Sequence, residues 1–194
     1  MRPVCRPSNL LALFAVLLAA LLLAAAPAHR AAAQWEGPPA DEAEVYWRQG
    51  FVLHALGAYG RAIERYRKSI ELRPSAEGHT YLGWSLSYLG RLDEAIAECR
   101  KAIEVDPGFG NPYNDIGVYL IRLGRVEEAI PWLEKAVTAE RYCCYQFPNF
   151  TLGQIRLAGG DVNGAVKFFE RALEHAPDYA PAREALKEIR RTTL

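Results

Sequence analysis

The sequence predicts an all-α fold, an α-solenoid of four tandem helix–turn–helix units that ends in a capping helix. Three columns of small residues predict it, because the members of each column recur at steps of 33, 34 and 36 residues. A period of about 34 residues is typical of stacked helix pairs that bury one continuous core between them. The columns are two sets of glycines and one set of alanines: Gly50, Gly83, Gly117 and Gly153; Gly57, Gly90, Gly124 and Gly160; Ala62, Ala95, Ala129 and Ala165.

The first 33 residues are predicted to be a signal peptide and not part of the fold. Arg2 and Arg6 precede an uninterrupted apolar run of 17 residues over 10–26, and 31–33 fits a small-x-small cleavage site. Because a signal-peptide core has roughly 7–15 apolar residues and a spanning helix needs about 20, a retained anchor is the alternative. We therefore expect an exported protein, periplasmic or secreted, or else one anchored N-terminally in the inner membrane. Residues 34–42 are predicted to be a linker.

Helix pairs are predicted over 43–75, 76–109, 110–145 and 146–179. Within each unit, apolar residues recur at spacings of one, three and four positions, which is the pattern of amphipathic helices. A glycine inside such a helix costs about 1 kcal/mol relative to alanine, so we expect close approach of the paired helix to offset it. In the third unit, Asn111 is the expected N-cap and Pro112 the expected first helical residue.

The chain departs from strict repetition at two places. Two additional residues fall between the third and fourth units, within 140–148, and they predict an irregular loop that holds Cys143 and Cys144. Beyond residue 179, an apolar stripe predicts a capping helix over 180–194 whose other face meets water. That stripe consists of Ala182, Ala185, Leu186 and Ile189.

Composition and spacing argue against catalysis, metal binding and nucleic-acid binding. The chain carries 23 acidic and 23 basic residues, without the basic excess of a nucleic-acid-binding protein. It shows no Ser/His/Asp set, no paired carboxylates, no phosphate-binding loop and no zinc-ligand spacing. We therefore expect neither an enzyme nor a cofactor or metal site. For Asp115, in the first helix of the third unit, we expect a solvated or capping role.

Three cysteines follow the predicted signal peptide. Cys99 occupies an apolar slot of the second unit, so we expect it to be a buried small hydrophobic residue. The adjacent Cys143 and Cys144 leave two interpretations open: unpaired thiols, or a vicinal disulfide that makes a redox-sensitive element.

A longer pattern lies in phase with the three columns. In the first unit it reads Tyr46-x2-Gln49-Gly50-x2-Leu53, then Ala62-x3-Tyr66, then Pro74. Proline recurs at 107 and 177, while the third unit has Arg141 at the corresponding place. This pattern resembles the tetratricopeptide repeat, which reads aromatic-x2-Leu-Gly-x2-aromatic, Ala-x3-aromatic, Pro. The resemblance covers roughly residues 43–179.

The resemblance implies that the first helix of each pair lines a concave groove that holds a protein or peptide partner. Carried over by phase, the groove residues are Trp47, Phe51, His54, Thr80, Trp84, Tyr88, Asn111, Asn114, Arg122, Phe147, Phe150 and Gln154. Six of these are large aromatic residues, a class enriched at interface hot spots.

The expected ligand is an apolar or aromatic segment of a partner. Some family members grip a carboxylate through Lys, Arg and Asn, and the matching positions here are Trp47, Phe51, Tyr81, Asn111 and Asp115. The sequence thus predicts a non-catalytic binding scaffold of the cell envelope. Two alternatives are a self-associating structural scaffold, hence an oligomer, and a thiol-active accessory protein that uses Cys143 and Cys144. Membrane association is expected only through an uncleaved N-terminal segment.

Overall fold

A computed structural model describes residues 41–192 as nine α-helices without a named strand. The predicted signal peptide over 1–33 and nearly all of the linker lie outside this range. None of the helices in the described range is long and apolar enough to cross a lipid bilayer. In chain order the helices are α1 (Glu42–Ala55), α2 (Tyr59–Leu72), α3 (Ala76–Tyr88), α4 (Leu92–Val105), α5 (Asn111–Arg122), α6 (Val126–Thr138), α7 (Gln146–Ala158), α8 (Val162–His175) and α9 (Ala180–Thr192).

Each helix packs against the next one in the chain, and contacts within a pair are more extensive than contacts between pairs. The pairs are α1–α2, α3–α4, α5–α6 and α7–α8, with α9 packed on α8. The prediction of four helix pairs followed by a capping helix is therefore confirmed.

Glycines with left-handed backbone conformation join the two helices of every pair. Gly57, Gly90, Gly124 and Gly160 have φ between 73° and 82°. Glycine adopts this conformation without a steric penalty, whereas other L-residues are disfavoured there. Each first helix thus ends at a fixed position, and the second helix folds back against it.

The helix glycines allow that close return. A Cβ added at Gly153 would lie 2.5 Å from Cε1 of Phe169, and one at Gly50 would lie 2.7 Å from Cε1 of Tyr66. Both rings are fully buried. The residue four positions after each column alanine therefore fills the space that the glycine leaves open. The other two pairs are Gly83 with Cys99 and Gly117 with Leu133.

The buried apolar residues form two clusters. The main core spans the first three pairs and reaches Leu152 in α7. A smaller terminal core lies between α8 and α9, where Phe169 packs with Ala182, Leu186 and Ile189. Cys99 is fully buried in the main core, as expected for a small hydrophobic residue.

The irregular loop between α6 and α7 pairs with the turn before α5. The amide of Arg141 donates to the Gly108 carbonyl at 2.9 Å, and the amide of Gly110 donates to the Arg141 carbonyl at 3.1 Å. These bonds make a parallel bridge between Phe109 and Arg141. Proline occupies this position in the other units, and it could not make the bridge because it lacks the N–H donor.

One helix start differs from the sequence prediction. Asn111 is the first residue of α5, and Gly110 stands at the N-cap position without a side chain to cap the helix. Gly110 is required there by packing, because a Cβ at this position would overlap Tyr142. The prediction of Asn111 as N-cap was therefore wrong by one residue, while Pro112 lies in the first turn as expected.

Candidate protein-binding surface

An aromatic cluster covers the first helices of the first two pairs. Its northern half, on α1 and α3, is built on Trp47, which stacks on Phe51 with ring centroids 5.7 Å apart. Tyr81 links the helices, because its ring lies 5.2 Å from Trp47 and 4.8 Å from Trp84. The aromatic cluster as used below consists of Trp47, Phe51, His54, Tyr59, Tyr81, Trp84 and Tyr88.

His54 holds the other half of the cluster together. Its ring lies 5.2 Å from both Tyr59 and Tyr88, and these two tyrosines stack at 4.6 Å. Nδ1 of His54 and Oγ of Ser85 lie 2.9 Å apart. Burial lowers the pKa of His54 from its ordinary value of 6.5, since desolvation penalises the charged form. The imidazole is therefore neutral at pH 7 and behaves as part of the aromatic surface.

Exposure divides the rings into a supporting layer and a contact layer. Trp47, Tyr81 and Trp84 are partly buried and pack against the main core. Phe51 and Tyr88 are 44% and 63% exposed. These two rings are the ones that a bound partner would cover.

A buried carboxylic acid fixes Trp84. The indole Nε1–H donates to Oδ2 of Asp115, and Nδ2 of Asn114 approaches Oδ1 of Asp115 at 3.4 Å. Burial raises the pKa of Asp115 to about 7, although both hydrogen bonds act in the opposite direction. The expectation of a solvated or capping Asp115 was therefore wrong. Its carboxyl lies under the aromatic cluster and orients one of its rings.

A shallow pocket extends the cluster towards α5. It is lined by Trp84, Ser87, Tyr88, Val118, Tyr119 and Arg122. Nη2 of Arg122 donates to the carbonyl of Ser87 at 3.1 Å, which ties α5 to the end of α3. Arg122 thus borders the pocket with its guanidinium partly committed to the backbone.

Three polar positions of the predicted groove take different roles. Thr80 is only 1% exposed and donates its hydroxyl to the Ala76 carbonyl at 2.7 Å, so its side chain does not line the surface. Asn111 is partly exposed at the start of α5. Asn114 is half-buried, and its Oδ1 has no hydrogen-bond partner among residues 41–192. Of the expected amides, Asn111 is therefore the accessible one.

The aromatic residues of the fourth unit form a separate group. Phe147 and Phe150 both contact Tyr179, with centroids 5.7 and 5.5 Å away, and Phe150 also lies 5.5 Å from Phe169. Gln154 is exposed one turn further along α7. No ring contact within the described chain joins this group to the aromatic cluster, because α5 contributes Asn111, Asn114 and Val118 between them. The six predicted rings therefore form two patches and not one stripe.

Three tyrosines of these patches were missed in the sequence prediction. Tyr81 lies three residues before Trp84, a spacing that places both on one helix face and could have indicated its role. Tyr59 belongs to a second helix and Tyr179 to the segment before α9, so the rule that only first helices line the groove excluded them. Both reach the patches because they stand next to turns.

The chemistry of the described region is that of a binding surface. No group of three or more His, Cys, Asp or Glu side chains in residues 41–192 is arranged to hold a metal ion. Asp115 is buried beneath Trp84 and pairs with no second carboxylate in its printed contacts. Aromatic carbon and a few backbone-tied polar groups are what the surface offers to a partner.

Comparisons with known proteins agree with this architecture. Tetratricopeptide repeat models match residues 43–75, 76–109, 111–143 and 149–179. The crystal structure of MamA has a TM-score of 0.63 and 24% identity, covering 72% of this chain and 81% of MamA. PilF of Pseudomonas aeruginosa has a TM-score of 0.65 and 23% identity, with 77% and 76% covered. PilW, described as a widely conserved type IV pilus biogenesis factor, has a TM-score of 0.68 and 20% identity, with 77% and 69% covered.

A search of curated proteins finds no match. At the identities above, the structural likeness shows the fold alone. The repeat models show more, because together they account for all four helix pairs. This scaffold is suited to protein–protein interaction. The chain belongs to the tetratricopeptide repeat family.

Proposed function

We propose that this protein is a non-catalytic scaffold of the cell envelope that binds an apolar or aromatic segment of a protein partner. The single observation that carries the proposal is the aromatic cluster, in which Phe51 and Tyr88 are exposed above rings that pack on the core. Rigid aromatic side chains with a buried support lose little conformational entropy when a partner covers them. Burying a side chain of this size contributes about 1.5–3 kcal/mol.

The charges around the cluster favour an apolar ligand over an acidic tail. Two arginines border the Trp47 end, and both are already paired with carboxylates. Arg73 lies against Asp41 and Glu44, and Arg141 lies 3.2 Å from Glu77. A ligand carboxylate would have to displace one of these partners. The partner segment is therefore one that buries carbon against the rings.

The envelope location is proposed from two supports. The sequence of the first 33 residues has the order of a signal peptide, a basic start, an apolar run and small residues. PilF and PilW, which share the fold, are proteins of the cell envelope. N-terminal sequencing of the protein from an envelope fraction tests the location, and recovery of the intact N-terminus in the cytosol would contradict it.

Peptide selection tests the ligand class. Peptides from a random displayed library are enriched on the immobilised protein, and the dissociation constants of the recovered peptides are measured by fluorescence anisotropy. We expect sequences with aromatic or large aliphatic residues. Phe51→Ala with Tyr88→Ala should weaken their binding by about 10- to 1,000-fold, as expected for hot-spot rings. Enrichment of acidic C-termini would contradict the proposal.

Matched controls come from the second helices. Leu72 and Val105 are similarly exposed apolar residues at the ends of α2 and α4. Leu72→Ala with Val105→Ala should leave peptide binding unchanged, and an equal loss would show that the aromatic cluster is not the site. Trp47 and Trp84 are unsuitable for this test. Both pack on the core, and truncation of Trp84 would leave Asp115 without its donor.

Self-association is a second candidate, favoured by an exposed stripe on α1. Val45, Val52 and Leu56 are 36%, 50% and 63% exposed at spacings that place them on one face. Light scattering across a concentration series distinguishes the two functions. A monomer at all concentrations contradicts self-association, and a dimer lost in Val52→Lys supports it.

A further inference from the structure

The irregular loop brings two cysteine sulfurs together. Sγ of Cys143 and Sγ of Cys144 lie 2.8 Å apart, and the two residues form no disulfide. Cys143 is exposed and Cys144 is half-buried. A reagent in solution therefore reaches Cys143, and the second sulfur lies within a short movement of the first.

The loop is held on both sides of the two cysteines. Before them, Arg141 is fixed by the bridge to Gly108 and Gly110, and Tyr142 is buried. After them, the Tyr145 hydroxyl donates to the Ala139 carbonyl at 2.6 Å, and the amide of Phe147 donates to the Cys144 carbonyl at 3.0 Å. These contacts fix the backbone around the sulfurs, so the pair is positioned by the fold.

We infer that Cys143 and Cys144 are a redox-active dithiol that exchanges with disulfide-containing molecules. The Cys143 thiolate attacks one sulfur of a disulfide RS–SR, and the first RS⁻ leaves and takes a proton. The Cys144 thiolate then attacks the Cys143 sulfur, and the second RS⁻ leaves. The products are a Cys143–Cys144 disulfide and two RSH molecules. The dithiol has lost two electrons and two protons, and RS–SR has gained them.

Geometry makes this disulfide reversible and not structural. Neighbouring Cα atoms are about 3.8 Å apart, whereas unstrained disulfides join Cα atoms about 4.4–6.8 Å apart. Strained, exposed disulfides are the labile and regulatory ones. The bond would also close only a two-residue loop, and so it would restrict the unfolded chain very little.

The dithiol lies beside the aromatic cluster. Arg141 reaches Glu77 on α3, which precedes Tyr81 by one turn. Burial raises the pKa of Tyr81, and negative charge on Asp115, Glu77 and Cys143 raises it further. The charge of the Cys143 thiolate is therefore felt at the ring that links α1 and α3. Oxidation removes that charge.

Thiol mapping of the full chain in glutathione buffers tests the inference. The protein is equilibrated with mixtures of reduced and oxidised glutathione, quenched in acid, alkylated and digested with trypsin after denaturation. The peptide over 142–156 should change from doubly alkylated to unalkylated and lighter by two hydrogens as oxidised glutathione increases. Excess reduced glutathione should reverse it. Cys99 is an internal control, because burial protects it until the protein is denatured.

Two single variants separate ring closure from simple thiol exposure. Cys143→Ser and Cys144→Ser should each stop at a mixed disulfide with glutathione, with unchanged far-ultraviolet circular dichroism. A wild-type peptide that stays doubly alkylated in every buffer would overturn the inference. So would a wild-type protein that accumulates glutathione adducts or intermolecular dimers to the same extent as the single variants. These readouts do not depend on partner binding.

Discussion

Asp115 connects the core of this protein to its surface. The carboxyl group lies beneath Trp84, accepts the indole N–H, and has a pKa raised to about 7 by burial. A carboxylate is costly to bury because water no longer solvates its charge. The residue therefore places a ring of the aromatic cluster at the expense of stability near neutral pH.

The pH dependence of that expense has a definite sign. The unfolded chain releases the Asp115 proton near pH 3.8 and the folded chain near 7. Between these values the folded state holds a proton that the unfolded state has lost, so this contribution to stability falls as pH rises and is constant above about 7. Asp115→Asn should abolish it and raise the free energy of unfolding at pH 8 by up to about 4 kcal/mol.

Urea unfolding between pH 4 and 8 measures this effect. The amide of Asn can still accept from Trp84 and can donate to Oδ1 of Asn114, which is buried without a partner in the described region. Asp93→Asn is the control, because its carboxylate is exposed. The same pH slope in Asp115→Asn as in the wild type would rule out Asp115 as its source.

Residue identity alone predicted some of these roles and missed others. The position of Trp84 on a first helix was available from the repeat phase. The burial of Asp115 and Thr80 was not, because each depends on how closely the neighbouring pair approaches. An aspartate in a solvated site and one beneath a tryptophan look the same in a single sequence.

At the scale of elements, each helix pair closes through one glycine and one larger residue. The size of the larger residue varies: Phe169 and Tyr66 are rings, Leu133 is aliphatic and Cys99 is small. Where the larger residue is a ring, the glycine has no room for a methyl group. At Gly83 an added Cβ would lie 3.2 Å from the Ala95 carbonyl oxygen and 3.3 Å from the Cys99 sulfur, so the second pair is less crowded.

Alanine substitutions at two equivalent glycines should therefore have unequal effects. Gly153→Ala forces the Phe169 ring to move and should destabilise the protein by about 1–3 kcal/mol. In Gly83→Ala, the gain in helix propensity of about 1 kcal/mol offsets a milder contact, so the change should be close to neutral. Thermal unfolding followed by circular dichroism compares them. Equal destabilisation by both would contradict the role assigned to the ring.

The elements were largely predictable because three independent residue columns share one phase. Turn glycines, helix glycines and buried alanines constrain the same helix pairs, so an error in one column is corrected by the others. The loop around Arg141 lies outside that phase. Its contacts with Gly108 and Gly110 join residues about 30 positions apart, and no local pattern predicts such a pairing.

At the scale of the molecule, the two hydrophobic clusters divide the solenoid into unequal parts. The first three pairs share one core, whereas α8 and α9 share a smaller one. Repeat proteins are stabilised by the sum of their units and the interfaces between neighbours, so parts with smaller interfaces open first. The irregular loop between α6 and α7 stands near the boundary.

Hydrogen exchange should reveal this division. The amides of α8 and α9 should exchange earlier than those of α3, α4 and α5, and mass spectrometry of peptides resolves the two groups. Leu186→Ala removes carbon from the smaller core and should accelerate exchange in α8 and α9 while α3 to α5 keep their protection. Uniform protection along all helices would show that the solenoid opens as one unit.

The bridge between Phe109 and Arg141 also bears on how long the protein survives among proteases. The side chain of Arg141 is more than half exposed, so an enzyme that cleaves after arginine can recognise it. Such enzymes bind the chain on both sides of the cleaved bond as an extended strand, through its main-chain hydrogen bonds. Here the amide and carbonyl of Arg141 are already occupied by Gly108 and Gly110, and Tyr142 is buried. The bond after Arg141 is therefore accessible to cleavage only after the bridge has opened, which places the longest connection between helix pairs under the protection of the fold.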